Sequence, residues 1–362
     1  MILDKSIFLG KSKPIVKTED FEADGRSQIL LNLPGYYNEI LLKIDLEIQA
    51  SDSPEAEADT YPLARVIKAL EIQADNSRPF LELPTPYAGM LLEIFDQIML
   101  KGSLYVPSLP DAGETATVSY QIPYHCGDDF LEKWDTSDVI AKRGLSNLVL
   151  TVNWGAASDL GDNYIINSGT IQAVVNYILL QPGVTEQRAF APKGWVPGQL
   201  NARGKRIVPA FWQPGTKVAE VNYPTGTALG EKTVNFLNGF FLRDVLFLVF
   251  DSTGALREDV ISRVKIETKD GIELFNATFR EIMLDNMRDH NYYTPLTGVG
   301  YIDLRELLET PKTGRKLVEA DDLQWKLTLA EANSTVVFMY RIHHPAEALA
   351  KIAGLRPAEM AV

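Results

Sequence analysis

Gly239 to Phe250 reads GFFLRDVLFLVF, the most apolar run of the chain, and Gly35 to Leu46, about 200 residues earlier, reads GYYNEILLKIDL. Each run opens with glycine and two aromatics, takes a short polar step and continues as a branched aliphatic run. Neither approaches the ~20 apolar residues of a membrane-spanning helix. Both suit a core strand of a β-sandwich.

The blocks downstream of each run also recur. After the first come an acidic loop, RVIKALEIQADN (Arg65–Asn76), PFLEL (Pro79–Leu83) and EIFDQIMLKG (Glu93–Gly102). After the second come a loop, SRVKIETKDG (Ser262–Gly271), IELF (Ile272–Phe275) and TFREIMLDNM (Thr278–Met287). Ile98-Met99-Leu100 and Ile282-Met283-Leu284 stand at one spacing from Phe95 and Phe279. Matching blocks in one order at so long a period describe a domain duplication, because solenoid repeats are far shorter.

The chain has 362 residues, enough for two domains with substantial cores. Its 46% hydrophobic and 23% charged content is that of a globular protein. The net charge of -13 disfavours general binding to a phosphate backbone, which rests on Lys and Arg. The charge is uneven: Lys5, Lys11, Lys13 and Lys17 against Asp4 make residues 1–17 net +3. Met1–Leu9 is short and broken by Asp4, so no signal peptide is read there. A single cysteine, Cys126, excludes an intrachain disulfide.

Residues 1–26 read as an arm, charged, with Pro14 and no sustained period. Ile2, Leu3, Ile7, Phe8 and Leu9 are compatible with a turn or two of amphipathic helix. Two readings stand for it: a terminus tucked against its own domain, or an arm touching a neighbouring subunit or a lipid surface. Strands are expected at 28–33 and 40–49, the latter with Ile40, Leu42, Ile44, Leu46 and Ile48 on one face. Ser51–Thr60, with four carboxylates and no base, reads as a solvated loop. Further strands are expected at 63–73, 79–83, 118–124, 148–154 and 170–180, with a helix over 87–100 and a polar loop over 156–168. Gly183–Gly204, rich in Gly and Pro, reads as the linker. The second half is expected to carry strands at 206–212, 217–223, 233–237, 240–251, 260–268, 272–275, 323–329 and 335–342, and a helix over 277–287. Residues 301–308 read as a short strand or helix. No βαβ rhythm appears, so the class is all-β: two sandwiches of about eight strands each.

The sequence assigns no catalytic, cofactor-binding or metal-ligating residue. GxSxG, HExxH and CxxC are absent. The glycines Gly198 and Gly204 before Lys205 are too far apart for a phosphate loop, and Arg206 stands where Ser or Thr is needed. His125 adjoins Cys126, but neighbours on a strand point to opposite faces, against a Cys-His couple. Asp128, Asp129 and Glu132 read as a solvated acidic turn rather than a metal site. His343 and His344 read as a strand exit without an identifiable third ligand, and His290 lies in a loop. Trp154, Trp212 and Trp325 fall in or beside strands, where burial is the default. Trp134 and Trp195 lie in connections.

The duplicated order resembles the double jelly-roll major capsid proteins of tailless, internal-membrane icosahedral double-stranded DNA viruses, especially the tectivirus-like bacteriophages. The stretches that carry the resemblance are the turn Pro107–Gly113, TATVSYQIPY (Thr115–Tyr124), NLVLTVNW (Asn147–Trp154), NYILL (Asn176–Leu180) and GFFLRDVLFLVFDSTG (Gly239–Gly254). The resemblance implies two tandem eight-stranded jelly-roll β-sandwiches with short flanking helices. It divides the chain into an arm (1–26), a first roll (27–183), a linker (184–204), a second roll (205–344) and a C-terminal tail (345–362). It implies a homotrimer of pseudo-hexagonal outline that meets neighbouring capsomers, penton and minor capsid proteins in a virion shell assembled in the host cytoplasm. Residues 1–17 would face the lipid of an internal membrane. The protein would be structural, with no enzyme activity, no cofactor and no specific nucleic-acid partner. Two other classes are weighed against it: a carbohydrate-binding or glycan-hydrolysing β-sandwich, which needs a groove with aligned aromatics or a carboxylate pair, and a viral attachment or spike protein.

Overall fold

The computed structural model describes residues 8–12, 15–56, 62–75, 78–100, 108–126, 140–141, 145–182, 213–234, 241–289, 296–304, 318–319 and 323–344. In chain order the first half holds β1 (Phe8–Ser12), β2 (Ile15–Asp20), β3 (Arg26–Leu30), β4 (Tyr36–Ala56), β5 (Ile67–Ala74) and β6 (Arg78–Leu83). Helix α1 (Ala88–Leu100) comes next, then β7 (Thr115–His125), β8 (Ile140–Ala141), β9 (Leu148–Trp154) and β10 (Gly161–Leu180). The second half holds β11 (Gln213–Tyr223), β12 (Gly230–Val234), β13 (Phe241–Phe250), β14 (Ile261–Thr268), β15 (Glu273–Thr278) and helix α2 (Phe279–Asp289). It closes with β16 (Val299–Asp303), β17 (Val318–Glu319), β18 (Leu323–Leu329) and β19 (Ser334–His344).

Each half is a jelly roll of the same wiring. In the first, β1 and β2 together take the first place of a sheet ordered β1-β10-β4-β7, which faces β3-β9-β5-β6. In the second, β11-β19-β13-β16 faces β12-β18-β14-β15. The helix stands between the fifth and sixth strands both times. Even the irregularities recur. β5 breaks register between Ile67 and Ala69 and again between Ile72 and Gln73; β14 breaks between Ile261 and Arg263 and between Ile266 and Glu267. Bulges at matched spacing on matched strands belong to a copied unit, since each re-aims the strand in a fixed way.

The two rolls share a wall. The fifth strand of the first roll, β6, pairs in parallel with the first strand of the second, β11 (Thr216 with Leu81, Lys217 with Glu82), fusing two half-sandwiches into one nine-stranded sheet. The rolls use opposite faces of it. Val245, Phe247, Val249, Val336, Phe338 and Tyr340 point into the second roll's core, while Leu246, Leu248, Phe250, Val337 and Met339 join the first roll's core. This explains why GFFLRDVLFLVF is more apolar than its counterpart. β13 is buried on both faces and reads as a continuous apolar run. β4, the third strand of the first roll as β13 is of the second, buries Ile40, Leu42, Ile44, Leu46 and Ile48 and leaves Lys43 and Asp45 half-buried and Glu47 exposed. At the head of that run Gly35 sits at φ 125, where a Cβ would lie 2.8 Å from the Ile178 carbonyl oxygen.

Several expectations are corrected. Within the stretch read as an arm, residues 8–12 and 15–20 are strands paired with β10, from Phe8 opposite Leu180 to Asp20 opposite Thr170. The supposed loops at 51–60 and 156–168 are in large part strand, because β4 runs on to Ala56 and pairs there with the start of β10, Gly161 opposite Ala56. Their polar composition misled the reading: a ribbon with solvated faces satisfies its backbone without apolar side chains. Residues 301–303 lie in strand β16. The expected strand at 206–212, the linker (184–204) and the tail (345–362) lie outside the described residues.

Candidate functional site

The joint between the rolls is the most elaborated feature of the described chain, and α1 is at its centre. A surface helix shows one apolar stripe; one that is apolar all round is buried all round. From Ala88 to Ile98 every residue of α1 is buried except half-buried Asp96. One flank packs on the first roll's core. The other meets the shared sheet: Tyr87, just before the helix, stacks on Phe250 with ring centroids 4.4 Å apart, and Phe95 meets Tyr301 edge-on at 6.2 Å.

Charges buried in this joint are paired, as burial requires. Arg341 Nε donates to Asp244 Oδ1 at 2.7 Å, and its Nη2 donates to Oδ2. Phe95 lies under that guanidinium, 4.2 Å from ring centroid to Cζ. Arg243 Nε stands 3.5 Å from Asp244 Oδ2. Arg243-Asp244 is the polar step of the opening run, and its role is to fasten β13 to β19 beneath α1. The polar step of the counterpart, Asn38-Glu39, is buried or half-buried too. Glu39 Oε2 lies 3.8 Å from His125 Nδ1, and His125 Nε2 meets Asp96 Oδ1 on α1 at 2.6 Å.

One turn earlier on α1, Glu93 accepts a hydrogen bond from the Tyr120 hydroxyl. Burial pushes its carboxyl up to about 7, opposed by the Tyr120 bond and reinforced by the charge of Asp96. Burial likewise raises the Tyr37 hydroxyl, which donates to the Leu33 carbonyl at 2.5 Å, and that of Tyr340, up to about 12. At the parallel seam Lys217 Nζ donates to Glu82 Oε2 at 2.9 Å, a basic group on the incoming strand against an acid on the receiving one.

Among the described residues, the candidates named from the sequence lie apart from one another, save the neighbours His125 and Cys126 and the pair His343 and His344. His125 engages carboxylates across the fold, and Cys126 is buried beside it. His343 and His344 lie at the end of β19, opposite Pro214 and Gln213. Trp154 and Trp325 are buried in the two cores. Asp128, Asp129, Glu132, Trp134, Trp195, Trp212, Gly198, Gly204, Lys205, Arg206 and His290 lie outside the described residues. A depression of about 160 Å³ on the outer face of the first roll is lined by Arg26, Glu71, Glu82, Thr151 and Asn153 among others. Among the described residues no group of three or more His, Cys, Asp or Glu is placed to hold a metal ion. Sequence reasoning missed Glu93, Asp244 and Arg341; the available signal was a charge inside an otherwise apolar segment, which must find a partner when buried.

No protein-family model matches this chain, and no curated protein does. Solved structures do. The crystal structure of the STIV MCP, from Sulfolobus turreted icosahedral virus, superposes with a TM-score of 0.69 at 14% identity, covering 96% of this chain and 100% of that one. A PBCV-1 virus capsid chain gives 0.59 at 9% identity, with 96% and 97% covered. The major capsid protein P2 of bacteriophage PM2 gives 0.52 at 11% identity, with 92% and 97% covered. The fold is therefore the double jelly roll found in several viral major capsid proteins. The similarity is spread over different viruses and does not single out the tectivirus-like bacteriophages.

Proposed function

We propose that the chain is the major capsid protein of an icosahedral virus, a structural protein without turnover. The observation that carries this reading is the fusion of two identically wired rolls through one shared sheet, over nearly the whole length of the capsid structures it resembles. Two like units locked side by side by the β6–β11 seam and by α1, whose Phe95 lies under Arg341, form a block with two similar flanks. Three such blocks arranged about a threefold axis present six similar flanks, and a pseudo-hexagonal outline tiles a facet. Contacts between capsomers, each modest, gain strength by repetition over that facet. The acidic chain suits a shell that does not grip its genome.

The reading extends to a shell over an internal membrane, with penton and minor capsid proteins as further partners and a bacteriophage as source. For β1 and β2, however, pairing with β10 of the same chain favours the reading of a terminus tucked against its own domain over an arm laid on lipid. The test is the solution mass of the purified chain together with electron microscopy of its assemblies. A trimer of near-hexagonal outline that forms sheets or shells is expected. A persistent monomer that binds or cleaves glycans overturns the reading.

A further inference from the structure

We propose that the exposed edge strand β15 is the docking site for the β1–β2 edge of a second copy of this chain, so that the seam inside the chain is repeated between chains. This rests on the capsomer reading and names the surface that closes it.

Within the chain the fifth strand of the first roll, β6, is covered by the first strand of the second roll, β11. The fifth strand of the second roll, β15, pairs only with β14 among the described strands. The first strand of the first roll, β1 with β2, pairs only with β10 among them. One chain thus carries one satisfied seam and the two halves of another, at opposite ends of its strand order. An uncovered edge invites pairing with another chain, and two different complementary edges make a head-to-tail contact, which closes into a ring when the rotation allows.

Burial points the same way. On β6, Leu81 and Leu83 are 1% and 0% exposed. Their ladder equivalents on β15, Phe275 and Ala277, are only half-buried, and Ile272 at the entrance of the strand is 61% exposed. Phe275 and Ala277 pack against the second roll's core yet stay more exposed than their equivalents on β6, the strand that β11 pairs with.

The ladders also give the register. Asn276, opposite Lys265, holds the place of Glu82, opposite Glu71. Ile15, opposite Val174, holds the place of Lys217, opposite Tyr340. Ile15 of one copy should therefore lie beside Asn276 of the next, as Lys217 lies beside Glu82.

The experiment uses the full-length chain carrying Ile15→Cys and Asn276→Cys under mild oxidation, with each single variant as control. A disulfide forms only when Cα atoms approach to roughly 4.4–6.8 Å, and the native Cys126 is buried. Reductant-sensitive multimers from the double variant and none from the singles are expected. The solvent-exposed Ile272→Lys variant, which stays folded by circular dichroism, should shift the concentration for half-association at least tenfold upward. A trimer by light scattering that neither cross-links nor responds to Ile272→Lys overturns this seam and leaves the capsomer reading standing. A monomer at every concentration overturns both.

Discussion

Glu93→Gln offers a direct test of how the joint is built. Glu93 is 2% exposed on a helix buried between the two rolls, and its carboxyl is raised from 4.5 to about 7, chiefly by burial. At about 1.4 kcal/mol per tenfold change, that gap amounts to about 3 kcal/mol of stability linked to one proton. The sign is set by which state holds the proton. Below pH 4.5 both states are protonated and the group contributes no slope. Between 4.5 and about 7 the unfolded chain ionises while the folded one does not, so stability falls as pH rises. Above about 7 both are ionised and the loss is complete. Urea denaturation at fixed protein concentration, at pH 5 and pH 8, reads the effect. The wild-type chain should lose about 2–3 kcal/mol more than Glu93→Gln over that interval. The difference between slopes is the quantity to use, because the amide brings an NH2 that needs a partner of its own, at a cost of about 1–3 kcal/mol at every pH. Equal slopes for the two proteins would show that Glu93 ionises in the folded joint as it does in water, and would refute the reasoning.

The same contacts yield further expected outcomes. Arg341→Ala takes from Asp244, 1% exposed, the guanidinium that donates to both its carboxylate oxygens; a loss of about 3 kcal/mol in denaturation is expected, recovered in large part when Asp244 is also replaced by leucine. Gly300→Ala drives a methyl group into the Phe247 ring across the β13–β16 ladder, so a cost of about 1–3 kcal/mol and a lowered Tm are expected. Deleting residues 1–20 removes β1 and β2, not a loose tail; hydrogen exchange should then rise along β10, and unchanged protection there would contradict the pairing. Trp325→Ala empties the middle of the second core and should cost about 3–5 kcal/mol, measured as a shift in denaturation midpoint.

The duplication was legible because it is written in local pattern. The two glycine-aromatic runs became β4 and β13, the third strand of each roll, and the blocks after them became β5 and β14, β6 and β15, α1 and α2. Period-two alternation and turn residues encode such elements one at a time. What failed was the reading of polar stretches. Ser51–Thr60 and Ala156–Ser168 looked like solvated loops because each was judged alone, yet β4 and β10 run into them and pair there, Glu55 and Ala56 with Asp162 and Gly161. β1 and β2 looked like an arm for the same reason: an edge strand completed by a partner 150 or more positions away carries no local sign of it.

By itself, then, the sequence determined the class, the two units and their order, because strand periodicity and the repeat of whole blocks are properties of the chain read in one dimension. Only the tertiary structure decided how the units are joined. The parallel seam between β6 and β11 is set by backbone hydrogen bonds that every residue but proline offers, so composition does not announce it. The charges of the joint were visible as letters, but their partners were not. Asp244 meets Arg341, and Asp96 meets His125, only after the sheet has closed and α1 has been buried against it. The extra apolarity of Gly239–Phe250 is plain in the letters; that it measures a strand buried on both faces became clear once the second face had something to pack against.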